Sequence, residues 1–185
     1  MNISDNANVE ILASDINTID TSATGTITID KQIVLKGNSD VVQTALAAVT
    51  NTGEAKITLL DDHLLSELVA INTATTGAIT LNTKTVALVG SADDVTAALV
   101  GITGYQGNIT LDSNHDLAEL KAINNAQTAG TLTLNSKAIA LVGSTADIKA
   151  ALAGVTAYTG ALNIRDHPNV ERLDSDRNTI DTSAT

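Results

Sequence analysis

The sequence predicts an α/β fold, a repeat solenoid of parallel strands and short helices with a period of about 52 to 53 residues. Three observations carry that expectation. The segment "ITLLDDHLLSELVAINTATTGAITLNTKTVALVGSADDVTAALVGIT" from Ile57 superimposes on "ITLDSNHDLAELKAINNAQTAGTLTLNSKAIALVGSTADIKAALAGVT" from Ile109, with one inserted residue and most apolar positions kept. Within each copy the hydrophobic spacing switches between the two-residue period of a strand and the three-to-four-residue period of a helix. The interior must also be aliphatic, because the chain is 43% hydrophobic yet has no Phe, no Trp and only two Tyr. Such side chains suit thin, regularly layered cores.

Taken in order, one repeat reads strand, helix, strand, strand, helix. "NITL" (Asn108 to Leu111) and "TLTL" (Thr131 to Leu134) alternate as strands do. Between them Leu117, Leu120 and Ile123 stand three apart, a helical stripe entered through Asn114 or Asp116 as a cap, and Leu65, Leu68 and Ile71 repeat it. "NSK" then turns the chain into "AIALV", a further strand ending at Gly143. Ile148, Ala151, Leu152 and Val155 follow at i, i+3, i+4 and i+7, with Ser144 and Asp147 spaced as a capping box. Val95, Ala98, Leu99 and Ile102 hold the same places one repeat earlier, and Val42, Ala45, Leu46 and Val49 one before that. A single repeat cannot bury all its apolar faces, so stacking must supply the burial.

These copies divide the chain into one repeat domain, residues 1–185, with repeats at approximately 2–55, 56–108 and 109–161 and a partial C-terminal cap at 162–185. The last segment, Asn163 to Thr185, matches Asn2 to Thr24 at 17 of 23 positions and closes on the same "NTIDTSAT". Among the changes, Ile11, Ala13 and Ile16 become Arg172, Asp174 and Arg177, and Ser4 and Ala7 become Arg165 and Pro168. Charge at formerly apolar positions marks an end that stays soluble. The opposite, N-terminal face keeps Ile11 and Ile16, and predicts an interface there, a head-to-head dimer of two copies. The repetition of the opening at the close also suits a unit excised from a longer array.

Charge and composition exclude several classes. With 21 acidic and 10 basic residues the formal charge is -11, which repels nucleic acids and anionic lipid surfaces and makes a cation the better charged partner. The absence of cysteine removes disulfides, thiolate metal sites and a Cys nucleophile. No 18-residue apolar run predicts membrane insertion, and "NISDNANVE" lacks the basic start and apolar stretch of a signal peptide.

Candidate chemistry is sparse. His63, His115 and His167 fall at equivalent places after a strand and beside acids, in "LDDH", "DSNHD" and "RDH". They form either a ladder of metal or proton-sensitive sites or solvent-exposed loops whose Asp, Asn and Ser satisfy helix amides. Asp112, Asn114 and Asp116 place alternate oxygen ligands as at the start of a calcium loop, though without its central Gly and closing Glu, so calcium is the one candidate cofactor. Tyr105 and Tyr158 align in "TGYQG" and "TAYTG", either as exposed contacts for sugars or proteins or as covers on the core's ends. Gly37, Gly90 and Gly143 stand between strand and helix, where a turn needing a small residue accounts for them better than a phosphate site. No Ser elbow, HExxH or nonrepeating acid, base and nucleophile grouping is present, so the sequence predicts no enzyme.

Phrases such as "AINTATTGAITL", "ADDVTAALVGITG" and "ADIKAALAGVTAYTG" resemble the Thr-, Ala- and Asn-rich tandem modules of very large secreted proteins of cyanobacteria and proteobacteria. The resemblance covers nearly the whole chain, and the layout, though not the LxxLxLxxN spacing, is similar to leucine-rich repeats. Hemolysin-type proteins of that kind carry calcium nonapeptides, and the GGxGxDxUx pattern is absent here. The resemblance implies an extracellular or cell-surface structural module, a spacer or assembly unit whose partners are neighbouring repeats or copies of itself. The alternative expectation is a calcium- or glycan-binding adhesive module, with a surface glycan as partner.

Overall fold

A computed structural model describes residues 1–3, 5–29, 32–51 and 54–166. It is a mixed α/β structure, and every strand pair in it is parallel. The chain forms two compact units. The first comprises Met1–Val86 and Ala97–Ile102, the second Ala87–Thr96 and the chain from Thr103 onward.

In the first unit the order is β1 (Asn2–Ile3), β2 (Glu10–Leu12), α1 (Ala13–Ser22), β3 (Ile27–Ile29), β4 (Val34–Gly37), α2 (Ser39–Ala48), β5 (Val49–Asn51), β6 (Lys56–Leu59), α3 (Leu65–Ala74) and β7 (Ile79–Leu81). One sheet runs β1-β3-β5 and another β2-β4-β6-β7. Leu35 pairs with Ile57 and Ile57 with Ile79, while Leu59 pairs with Leu81. Because side chains alternate across a strand, this register puts one aliphatic ladder on the inner side, and all five of those residues are buried. The helices bury the complementary stripe, Ile16 from α1, Val42, Ala45 and Leu46 from α2, and Leu68 and Ile71 from α3.

The second unit repeats this plan after β8 (Leu88–Gly90) and α4 (Ala92–Leu99), the helix through which the division passes. It continues with β9 (Ile109–Leu111), α5 (Leu117–Ala126), β10 (Leu132–Thr133), β11 (Leu141–Gly143), α6 (Thr145–Ala151) and β12 (Leu162–Ile164). Its sheets are β10-β9-β8 and β11-β12. Leu88 pairs with Ile109, Ile109 with Leu132, and Leu141 with Leu162, the inner ladder again.

The predicted unit of strand, helix, strand, strand, helix is therefore present in β6 to α4 and in β9 to α6. The strand that ends one repeat pairs with the strand that opens the next in β4-β6, β8-β9 and β11-β12. The first repeat adds two strands that the sequence pattern does not announce, β2 before α1 and β5 after α2. Two glycines show why small residues stand at fixed places. A Cβ on Gly37 would lie 3.1 Å from the Ala13 Cβ, and one on Gly143 would collide with the Leu117 side chain, so a helix start packs directly on the strand end.

Candidate functional site

The loops that follow β6, β9 and β12 hold the acids and histidines singled out in the sequence. Their side chains serve the helix one layer away. Asp61 Oδ1 accepts from the Ser39 amide at 2.9 Å, Ser113 Oγ from the Ala92 amide at 2.9 Å, and Asp166 Oδ1 from the Thr145 amide at 2.8 Å. The partners lie 22, 21 and 21 residues apart, the same offsets as the strand pairs beside them. Each loop thus satisfies one orphan amide at the start of α2, α4 or α6, where an oxygen acceptor also complements the positive end of the helix dipole.

His115 and His63 are not solvent-exposed loop residues. They retain only 4% and 2% of their surface. His115 Nε2 lies 3.1 Å from the Tyr158 hydroxyl, which donates its one proton to the Ile139 carbonyl at 2.8 Å. Nε2 must therefore carry the proton it donates to Tyr158, leaving Nδ1 bare, buried and without a hydrogen-bond partner among the described residues. Burial pushes the His115 pKa below its ordinary value, against the opposing pull of Asp116. Burial likewise lowers that of His63, with Asp62, Glu67 and Asp61 opposing. Burial thus disfavours the charged form of both rings.

Of the predicted calcium ligands, Asp116 is committed elsewhere. Its Oδ1 accepts from the Glu119 amide at 2.8 Å while Glu119 Oε2 accepts from the Asp116 amide at 2.6 Å, a reciprocal cap on α5. Asp112 keeps to the strand ladder, its amide donating to the Gly90 carbonyl at 2.9 Å. Asn114 offers its carbonyl to the Ser113 hydroxyl at 3.0 Å. No group of three or more His, Cys, Asp or Glu side chains among the described residues is placed to hold a metal ion. Glu119 also contacts Asp93, and burial raises the Glu119 pKa, opposed by the hydrogen bond from the Asp116 amide and reinforced by the Asp93 and Asp116 carboxylates. Lys121 pairs with Asp147, whose pKa it lowers together with Ser144. Of the predicted capping box at Ser144 the N-cap half is present, the hydroxyl accepting from the Asp147 amide at 3.1 Å, while Asp147 Oδ2 accepts from that hydroxyl at 2.8 Å and not from the Ser144 amide.

The remaining candidates sort by burial. Tyr105 and Tyr158 are completely buried, which rules out an exposed contact for sugars or proteins and pushes both phenols up to about 12. Ile16, expected on an open interface, is also completely buried, because the α1 stripe packs it into the core. Ile11 is half-buried and paired with Leu35 through β2. With Met1, Ile3 and Ile19 these two line an apolar recess of about 370 Å³. His167, Pro168, Arg172, Asp174 and Arg177 lie outside the described residues.

Sequence reasoning missed a set of asparagines. Asn17 Nδ2 donates to the Val41 carbonyl at 3.3 Å, Asn72 to the Ala98 carbonyl at 2.6 Å, and Asn124 to the Ala151 carbonyl at 2.5 Å. In each case an amide from one helix reaches a carbonyl of the next, near its start at Val41 and near its end at Ala98 and Ala151. The signal was legible in principle, since "INT", "INT" and "INN" recur at these places.

No protein family, curated protein or solved structure matches the chain. Among the described residues, no helix is long and apolar enough to cross a membrane.

Proposed function

We propose that the chain is a structural repeat module, an α/β solenoid that serves as a spacer or assembly unit of a large bacterial extracellular or cell-surface protein. The observation that carries this reading is where the repeated polar residues go. Asp61, Ser113 and Asp166 cap helices 21 or 22 residues away, and Asn17, Asn72 and Asn124 tie helix to helix. The conspicuous side chains are spent on holding one layer to the next, as nearest-neighbour stacking requires, and no catalytic grouping is left over among the described residues. The extracellular assignment rests on the compositional resemblance.

A solenoid can be lengthened by whole repeats. Inserting a second copy of residues 109–161 after Ala161 should give a soluble, cooperatively folded chain of greater stability, whose maximum dimension grows while its cross-section stays constant. A chain that aggregates, or that swells in cross-section, would contradict the reading.

A further inference from the structure

In the second unit, two segments far apart in sequence are joined through one histidine. The loop from Asp112 to Asp116 connects β9 to α5, and Leu117 beyond it lies so close to β11 that a Cβ on Gly143 would collide with its side chain. The His115 ring is 4% exposed, and its hydrogen-bond partner is the Tyr158 hydroxyl, itself tied to the carbonyl of Ile139, two residues before β11. This chain of two bonds fastens the loop before α5 to the approach to β11. Nε2 carries the single proton of the neutral ring, so a second proton must go to Nδ1, which is buried and faces no acceptor among the described residues. A charged ring left in this seat would bear a buried charge and an unmatched N–H together.

Room for that ring lies beside it. His115 lines a cleft of about 570 Å³ together with Asp116, Lys121, Asp147 and the stretch from Ile139 to Val142. Among the charges around the ring, Asp116 opposes the effect of burial, while Lys121 and Asp147 are paired with each other. Glu119 accepts from the Asp116 amide and contacts Asp93, and Asp112 stands on the same loop. Lys137 is held at the Thr156 carbonyl, 2.8 Å away. β11 has no titratable side chain, and the Tyr158 phenol, pushed up to about 12, stays neutral below that range. Acids outnumber bases here, so the surroundings of the cleft favour a cation that its buried seat does not.

We infer that His115 is a proton-operated latch, which closes the loop before α5 onto Tyr158 when neutral and turns out into the adjoining cleft when protonated. Turned out, the imidazolium meets water and the Asp116 and Asp147 carboxylates, while Tyr158 keeps its bond to Ile139. The release is local to the loop and the first turn of α5, because Leu120 and Ile123 remain anchored in the core. Mild acidity thereby loosens the segment that packs against β11. The latch goes beyond the repeat-module reading, which needs no moving part.

Ring resonances of His115 and amide exchange, followed on the intact chain from about pH 7.5 to 5.5, test it. At the upper end the ring should carry its proton on Nε2. As the pH falls below the ordinary histidine value of 6.5, protection of the Asp116 and Glu119 amides, which close the cap of α5, should drop by up to about tenfold per pH unit. The Ile57 amide, bonded to the Ala78 carbonyl in the first unit, should keep its protection over the same range. His115→Gln retains a donor for Tyr158 but cannot titrate, and should hold both α5 amides protected throughout. Should that variant fail to fold, Tyr158→Phe decides, since removing the acceptor of Nε2 should move the ring titration and the loss of protection to higher pH together. A neutral ring protonated on Nδ1, α5 amides still protected at pH 5.5, a loss that persists in His115→Gln, or midpoints that separate in Tyr158→Phe would each overturn the latch. The repeat-module reading would survive any of these results, because repeat insertion tests it separately.

Discussion

A methyl group added at Gly130 has nowhere to go. Its Cβ would sit 2.5 Å from the Gly107 carbonyl oxygen, and the backbone there has φ +89°, a region that side chains disfavour. Gly154 has φ +74° but open space around its Cβ. Gly154→Ala should therefore cost about 1 kcal/mol from backbone strain alone. Gly130→Ala should cost clearly more, because one chain must also move off another. Denaturant titration of the two variants checks the order, and equal losses would contradict the close approach. The histidines give a second residue-scale prediction. Their folded-state pKa values are lowered from 6.5, so the unfolded chain takes up protons first as pH falls. Their contribution to stability is complete above that value and is lost progressively as pH drops below it. The denaturation midpoint should fall between pH 7.5 and 5.5, and His115→Gln should lessen the fall, leaving the part due to His63. A slope unchanged by the substitution would show that His115 is not held neutral. The burial of these rings was not legible in the sequence, because a histidine flanked by acids reads as a surface residue. Only the fold reveals that the acids turn outward to cap helices while the ring turns in to meet Tyr158.

At the scale of elements, the parts of the repeat that obey a local rule were legible. Val42, Ala45 and Leu46, and likewise Ile148, Ala151 and Leu152, follow the helical period and are buried in α2 and α6 or at its end. The N-cap at Ser144 also lies within one turn of chain and could be read directly. The cross-layer caps could not, because Asp166 and Thr145 are 21 residues apart and no local pattern links them. Nor could β2, since its pairing is set by β4 rather than by its own alternation. The cross-layer cap carries its own expectation. Asp166→Ala leaves the first amide of α6 without its acceptor and should cost about 0.5 to 2 kcal/mol. The half-exposed pair Lys121 and Asp147 should matter less, with Lys121→Ala costing less than Asp166→Ala. A thermal-stability comparison of these variants that reversed the order would place the cohesion of α6 in the ion pair instead of the cap.

For the whole molecule, repetition was the dominant signal in the sequence. The sequence spreads its repeats evenly, whereas the compact units part within α4, inside one repeat. The functional reading also lives at this scale, because it concerns where repeated residues are spent rather than any single pocket. Its central claim is that the chain is a passive structural module. The most direct measurement is small-angle scattering with mass determination, made with calcium and again with chelator. The account predicts the same shape and mass in both, since Asp116 is spent on the α5 cap. A particle whose shape or mass changes with calcium would contradict it and return Asp112, Asn114 and Asp116 to the role of ligands.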